Sequence, residues 1–370
     1  MPHVSVCIPV YNGERFLAET MRSVLDQSYR DFELVVLDNA STDATGEIAR
    51  SFGDPRVRVA ANATTIFQPE NWRAAVRLCR GPLIKLLCAD DLLHPRCLEY
   101  QVGPMETDPG IALVAARRHM IDEKSRILVP RRGLAGLTGL RTSVEVARRV
   151  VRSGANPIGE PGGALFRRAH YEAVGGWHPE RRHAMDLDLW MRLLHHGEFL
   201  GLPETLAAFR VAQQSLSVDN EAGVYEHQRA IMAELAASPH LQIRQVDATV
   251  GRVLAPTGRL RRRVLFGMSK HAARRDERST DLAGLGQVRS RTGERIRRSA
   301  PRLRPLPRRS PVVADRARHE HEAGQLLQRP ADPGVGEEVD DALLLDDGSD
   351  ETPPPQARQV VGQLPATDTQ

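Results

Sequence analysis

The stretch Leu83-Ile84-Lys85-Leu86-Leu87-Cys88-Ala89-Asp90-Asp91 decides the fold that the sequence predicts. A short continuous apolar run, opened here by Gly81-Pro82, is typical of a strand that is buried on both faces. Ionised aspartates are costly to bury without partners, so this strand should deliver Asp90 and Asp91 to a cleft. A divalent cation such as Mg²⁺ or Mn²⁺ would relieve the repulsion between the two carboxylates. The alternative is a solvated loop in which the two acids cap the next helix.

Strand-like and helix-like segments alternate around this stretch. The other predicted strands are Val4–Val10, Phe32–Leu37, Val57–Val59, Ile111–Val114 and Pro203–Val211. This alternation is the period of βαβ units and predicts an α/β fold, with a mixed, mostly parallel sheet flanked by helices. Ligands of such sheets bind outside the carboxyl ends of the strands. Pro9–Asn12, Asp38 and Asp90–Asp91 should therefore meet at one edge of the sheet.

The composition is that of a globular protein from a reducing compartment. The chain has 370 residues, 41% of them hydrophobic, which is enough for one large α/β domain or two modest ones. The four cysteines have no close spacing and mostly lie in apolar patterns, so they are expected to be buried thiols. The N-terminus enters a strand directly and no apolar window is long enough to span a bilayer, so we expect a cytoplasmic protein.

Charge is distributed unevenly along the chain, although the formal net charge is only +4. The pattern predicts a globular domain over 1–240, a basic and helical segment over 241–275, and a disordered low-complexity tail over 276–370. Arg259–Lys270 has a basic amphipathic pattern, which indicates peripheral contact with the inner face of a membrane. The alternative is a surface helix with a solvated basic side. A nucleic-acid partner is not expected.

The first turn of the predicted sheet has none of the usual phosphate-binding motifs. It lacks G-x-G-x-x-G, and the chain has no P-loop and no Gly-x-Ser-x-Gly elbow. Asp38 can hold a ribose or a base edge, although a lone aspartate here is more often a turn residue. Together with a cation at Asp91, Asp38 would form a nucleoside-diphosphate site that has no glycine-rich phosphate-binding loop. Transfer to a hydroxyl also needs a base, and Asp186 or Asp188, at a predicted helix start, could serve unless they cap that helix.

Five segments follow one another in the order and spacing of a known family. They are Val4–Gly13, Leu25–Tyr29, Phe32–Asp43, Cys88–Asp91 and Asp186–Trp190. Over about residues 3–217 the chain resembles the family 2 glycosyltransferases, which have the GT-A fold. The resemblance implies an enzyme that transfers a sugar, with inversion, from a nucleoside-diphosphate sugar to a hydroxyl of a glycan, a lipid-linked sugar or a protein.

The resemblance also implies roles for individual residues. Those implied to form the donor site are Pro9, Tyr11, Glu14, Asp38, Ser41, Asp43, Asp90 and Arg210. Among them Asp38 would hold the base, Asp90 the ribose or sugar, and Arg210 the leaving diphosphate, from a C-terminal flap. The resemblance implies that Asp91 binds Mg²⁺ or Mn²⁺ and that Asp186 is the catalytic base. It implies that Asp188 and Trp190 support that base.

Three positions depart from the family pattern. Cys88 stands where many members have an aspartate, Met185 replaces an acid before the base, and Ala212 replaces a histidine. The alternative function is therefore a nucleotide-sugar-binding or regulatory module with impaired turnover. Cell-surface polysaccharide biosynthesis is the expected setting, and the Gly-rich loops Arg131–Leu140, predicted to be mobile, and Asn156–Gly163 should select the acceptor.

Overall fold

The computed structural model describes residues 1–211 and 221–257, together with residues 264, 267 and 268. The strands of its sheet are β1 (Val4–Val10), β2 (Phe32–Asp38), β3 (Val57–Ala61), β4 (Leu83–Leu86), β5 (Leu92–Leu93), β6 (Ile111–Ile121), β7 (Ile127–Arg132), β8 (Gly139–Arg141), β9 (Ala164–Arg167) and β10 (Glu198–Arg210). The helices are α1 (Leu17–Leu25), α2 (Thr45–Arg50), α3 (Gln68–Leu78), α4 (Cys97–Thr107), α5 (Ser143–Ser153), α6 (Arg168–Ala173), α7 (Met185–Leu193) and α8 (Glu221–Ala237). Residues 245–257 are also helical.

The strand order determines which loops lie at the carboxyl edge of the sheet, where ligands of such folds bind. The order is β3-β2-β1-β4-β9-β6-β10-β5, with β7 added to β6 and β8 added to β10. Strands β1 to β4 pair in parallel, as do β6 and β10, while β9 runs antiparallel between β4 and β6. The predicted α/β fold with a mixed, mostly parallel sheet is confirmed. Because β9 is reversed, the loop that precedes it lies at the carboxyl edge of its parallel neighbours.

The sheet is buried on both faces, as the apolar strands predicted. Successive residues of β1 alternate between two hydrophobic clusters, with Val6 and Ile8 in one and Cys7 in the other. Helices α1 and α4 pack on the first face, and α3, α5 and α7 pack on the second. All four cysteines are free thiols.

Two strands are much longer than predicted. The predicted strands Ile111–Val114 and Pro203–Val211 become β6 and β10, which pair along most of their lengths. The apolar pattern of β6 ends before Arg117, so the sequence did not reveal its polar second half. The predicted mobile loop Arg131–Leu140 is shorter than predicted, because β7 and β8 take its ends, and two of its three leucines, Leu134 and Leu137, are fully buried.

Several predictions fall beyond the described residues. The disordered tail over 276–370, Ala212 and almost all of the basic segment Arg259–Lys270 lie outside them, so these predictions and the domain boundaries remain predictions. The predicted helix over 222–237 is confirmed as α8. In the described part of the chain, no helix has both the length and the apolarity needed to cross a bilayer.

Candidate active site

The loops that follow β1 and β2 are held together by hydrogen bonds. The backbone N–H of Asn12 donates to the hydroxyl of Ser41 at 2.9 Å, and the N–H of Glu14 donates to Asp43 at 3.1 Å. In return, the carboxylate of Glu14 accepts the N–H of Ala44 at 3.0 Å. Glu14, Ser41 and Asp43 were expected to line a nucleotide pocket. In this structure their polar atoms join the two loops that would form its wall.

Three further predicted donor residues differ in how far they are exposed. Pro9 is buried inside β1. Tyr11 is 52% exposed just beyond the end of β1, where its ring is free to stack on a ligand. Asp38 ends β2 and is only 7% exposed, and one of its carboxylate oxygens accepts the N–H of Ser41 at 3.0 Å. Asp38 therefore has a fixed carboxylate at the mouth of the loops, as its predicted role requires.

A tight turn after β4 presents the paired acids. The N–H of Asp91 donates to the carbonyl of Cys88 at 3.1 Å, which closes the turn. Asp91 is 2% exposed, and one of its carboxylate oxygens accepts the backbone N–H of Arg210 at 3.0 Å. Helix α4 begins after Arg96 with no side-chain cap, so the alternative in which the two aspartates cap the next helix does not hold.

The turn has the geometry and the charge of a cation site. One ligand atom from each of Cys88, Asp90 and Asp91 lies within 4.8 Å of the others. Burial, and then the charge of Asp90, raise the pKa of Asp91 well above its usual value. The charge of the nearby Arg210 lowers this pKa but does not offset the effect of burial. Carboxylate oxygens are preferred ligands of Mg²⁺ and Mn²⁺, so these residues fit the ion that the fold implies.

Arg210 was predicted to face the leaving diphosphate from a C-terminal flap. In the structure its side chain is fully buried. The guanidinium donates to the carbonyl of Asp90 at 2.8 Å, to the carbonyl of Asp122 at 3.0 Å and to Glu19 at 2.8 Å. Because β10 runs alongside β6, its last residue reaches the turns after β4 and β6. Arg210 therefore stabilises the Asp90–Asp91 turn from behind.

Asp186 lies in the first turn of α7 and is partly buried. One carboxylate oxygen accepts the N–H of Leu187 at 2.8 Å, and the other accepts the side-chain amide of Asn156 at 3.0 Å. Burial, and then the charge of Glu160, raise the pKa of Asp186 to about 6. A carboxylate with this pKa is mostly ionised at neutral pH and is well matched to accept a proton there.

The two predicted supporting residues fix α7 in place. Asp188 accepts two hydrogen bonds from Arg192, which also donates to the carbonyls of Val174 and Gly176 at 2.8 Å. The indole N–H of Trp190 donates to the carbonyl of Gly159 at 2.9 Å. Neither residue caps the helix. Both connect the helix that carries Asp186 to neighbouring loops.

Sequence reasoning missed two residues of this site, Asn156 and Glu160. Both lie in the loop before β9, which was predicted only to influence the choice of acceptor. The charge of Glu160 acts on Asp91 and on Asp186, so it lies near both. A glutamate within a Gly/Pro-rich loop was the only signal available, and the reversed direction of β9 was needed to interpret it.

The comparisons with known proteins match the N-terminal part of the chain to one family. Residues 5–175 match the family model described as glycosyl transferase family 2. EpsE of Bacillus subtilis (strain 168), which carries a provisional glycosyltransferase name, is 29% identical over 249 residues, covering 64% of this chain and 85% of EpsE. Residues 5–175 are therefore similar to glycosyl transferase family 2. Asp186 lies beyond the matched residues, so the role of its side chain is argued from geometry.

Solved structures share the GT-A fold of this chain. S. aureus TarS 1–349 in complex with UDP-GlcNAc has a TM-score of 0.53 and 18% identity, over 65% of this chain and 68% of that chain. The mannosyltransferase PcManGT from Pyrobaculum calidifontis, in complex with GDP-Man and Mn²⁺, has a TM-score of 0.52 and 17% identity, over 87% and 80%. At these identities the likeness establishes the fold alone.

Proposed function

We propose that this chain uses a nucleoside-diphosphate sugar as donor and inverts the anomeric carbon as it transfers the sugar to a hydroxyl group. The observation that carries the proposal is that one loop, the loop before β9, reaches both acids: Asn156 donates to Asp186, and Gly162 lies beside Asp91. Asp38 ends β2, at the same edge of the sheet as the Asp90–Asp91 turn. UDP-GlcNAc and GDP-Man in the two similar structures support this class of donor.

Asp91 would hold Mg²⁺ or Mn²⁺, with Asp90 beside it toward the ribose or sugar of the donor, and the bound ion would neutralise the negative charge of the leaving diphosphate. Asp91 suits this role because one carboxylate oxygen is fixed by the N–H of Arg210, which leaves the other oxygen free to bind. The guanidinium of Arg210 is buried and donates to protein groups. The Mn²⁺ in PcManGT supports a divalent ion for this fold.

Asp186 would accept the proton of the acceptor hydroxyl. As the acceptor oxygen forms its bond to C1 of the sugar, the bond from C1 to the diphosphate breaks and the proton remains on Asp186. A single displacement of this kind inverts the configuration at C1. The hydrogen bonds from Asn156 and Leu187 hold the carboxylate in one orientation. A base held in this way contributes about 10²–10⁴-fold to the rate.

The test is a panel of nucleotide sugars, beginning with UDP-GlcNAc and GDP-mannose, assayed for release of the nucleoside diphosphate into water or to glycan and lipid-linked acceptors. We expect release from at least one donor with Mn²⁺ or Mg²⁺ and none with EDTA. Asp91→Asn should lose the metal-dependent release. Glu172→Gln, an exposed acid on α6, is the control and should behave as the wild type. Release that is unaffected by EDTA would contradict the metal role.

The second candidate is a nucleotide-sugar-binding or regulatory module on the same fold, which Met185 and Ala212 favour because they replace residues of the family pattern. In that case, calorimetry with UDP or GDP and Mn²⁺ would show binding while no donor released its diphosphate. We propose surface polysaccharide or glycolipid assembly as the setting. The identity of an active acceptor would test it.

A further inference from the structure

The loop before β9 bridges the base and the paired acids. At one end, Asn156 donates to Asp186 and also accepts the N–H groups of Ile158 and Gly159 at 3.1 and 3.0 Å. At the other end, a Cβ added to Gly162 would lie 3.5 Å from a carboxylate oxygen of Asp91. The loop is therefore anchored on both sides of the space where the sugar and the attacking hydroxyl must meet. Glu160 lies between these two anchors in the sequence.

A buried arginine holds Glu160 in place. Arg118, on β6, is 5% exposed, and its guanidinium contacts the carboxylate of Glu160. Gly133 and Gly159, with φ of +101° and +110°, flank it so closely that a Cβ added at either position would overlap its Nη1 atom. The backbone thus leaves room for this guanidinium and for little else. The ion pair holds the Glu160 carboxylate in place, while its side chain remains 29% exposed.

We propose that Glu160, held by Arg118, is a positioning residue for the base Asp186, and that it takes the place of the acid which this chain lacks at Met185. The inference rests on the proposed role of Asp186 as the base. Glu160 acts through charge: a second carboxylate beside Asp186 makes proton uptake by Asp186 more favourable. The buried guanidinium of Arg118 acts in the opposite direction, and it limits the effect by pairing with Glu160.

A structural role alone would not require this placement. An acid that served only to neutralise Arg118 could be fully buried with it, whereas the carboxylate of Glu160 is partly exposed. The loop that carries Glu160 contacts Asp186 through Asn156 and lies beside Asp91 at Gly162, and these two acids come from separate elements. Glu160 is therefore placed between the two acids of the site.

The test is Glu160→Gln, which keeps the shape of the side chain and removes its charge. The probe is hydrolysis of UDP-GlcNAc or GDP-mannose, or of whichever donor is active in the panel above, with water as the acceptor. We expect kcat to fall about tenfold, a part of the whole contribution of a base, while the donor KM stays within about twofold. The acidic limb of the pH profile, which reports the ionisation of Asp186, should move to lower pH. Glu160→Asp should restore part of the rate, and Glu172→Gln should match the wild type.

Three results would overturn the inference. One is wild-type kcat and pH profile in Glu160→Gln. Another is a loss of Mn²⁺-dependent UDP binding as large as the loss of kcat, which would make Glu160 a metal ligand. A third is a lower kcat with an unmoved acidic limb, which would indicate a structural role only. If Glu160→Gln does not fold, a wild-type kcat and pH profile in Glu160→Ala, which also removes the charge, overturn it equally. Failure of the proposed function can be told apart from failure of this inference, because Asp186→Asn would then retain hydrolysis.

Discussion

Replacing Arg210 with methionine should destabilise the fold and should affect nucleotide binding only through that change. The side chain is fully buried, and its guanidinium donates to the carbonyls of Asp90 and Asp122, to the hydroxyl of Ser125 and to Glu19. It also lies 4.4 Å from the ring centroid of Phe16. Methionine fills a similar volume but donates no hydrogen bond. The turns after β4 and β6 would then be left with unsatisfied carbonyl groups.

The expected loss follows from these contacts. Each buried carbonyl left without a donor costs about 1–3 kcal/mol. The contact with the Phe16 ring adds about 0.5–2 kcal/mol. The carboxylate of Glu19 is 47% exposed, so the ion pair contributes little beyond its hydrogen bond. The packing that methionine recovers offsets part of these losses. The free energy of unfolding should therefore fall by about 3–5 kcal/mol, the usual result of removing one partner from a buried polar network.

Urea unfolding without metal or nucleotide measures this loss, and calorimetry with UDP and Mn²⁺ measures binding. The matched control is Arg15→Met, because Arg15 lies over the same ring at 4.8 Å but is 59% exposed. It should cost about 1 kcal/mol or less. Unchanged stability in Arg210→Met, together with lost UDP affinity, would refute the reasoning. That result would return Arg210 to the diphosphate contact which the family resemblance implied.

Three further changes probe other parts of the structure. In a urea titration, Gly159→Ala should lower the free energy of unfolding by more than Gly175→Ala does, because only the first adds a methyl group against Arg118. Gly175→Ala, at φ +76° with nothing within 4 Å, should cost about 1 kcal/mol. Equal losses would contradict this. Asp247→Asn should let trypsin release the last described helix sooner than in the wild type, because Asp247 is fully buried and its carboxylate contacts three arginines. The pKa of Asp186 is raised from 3.8 to about 6, so the folded state binds this proton more tightly than the unfolded chain and loses stability as the pH rises through this range. In EDTA, the free energy of unfolding of the wild type should therefore fall relative to that of Asp186→Asn, by on the order of 3 kcal/mol between pH 4 and pH 7. A difference between the two proteins that does not change with pH would refute the raised pKa.

The positions of the paired acids could be predicted because they depend on local pattern. An apolar run ends where its strand ends, so the sequence alone places Asp38, Asp90 and Asp91 at the carboxyl edge of the sheet. The start of α7 was predictable for the same reason, and it carries Asp186. Parallel pairing of β1, β2 and β4 then brings the strand ends together.

The remaining features depend on contacts between distant segments. The partners of Arg210 are set by the register of β10 against β6, and the polar second half of β6 hid that pairing. Glu14 and Asp43 bond across two loops, which no local pattern reveals. Glu160 reaches the site because β9 is antiparallel to its neighbours, and a strand of this length carries no signal of its direction. Long-range pairing, and not propensity, determined each of these differences.

The most direct test of the central claim is to measure catalysis and binding separately in Asp186→Asn. With a saturating active donor and Mn²⁺, kcat for diphosphate release should fall by about 10²–10⁴-fold, because the base is removed. The dissociation constant of UDP with Mn²⁺ should stay within about twofold, because Asp38 and Asp91 are unchanged. A kcat within tenfold of the wild type, or a loss of UDP affinity that matches the loss of kcat, would contradict the role of Asp186 as the base of an inverting glycosyltransferase.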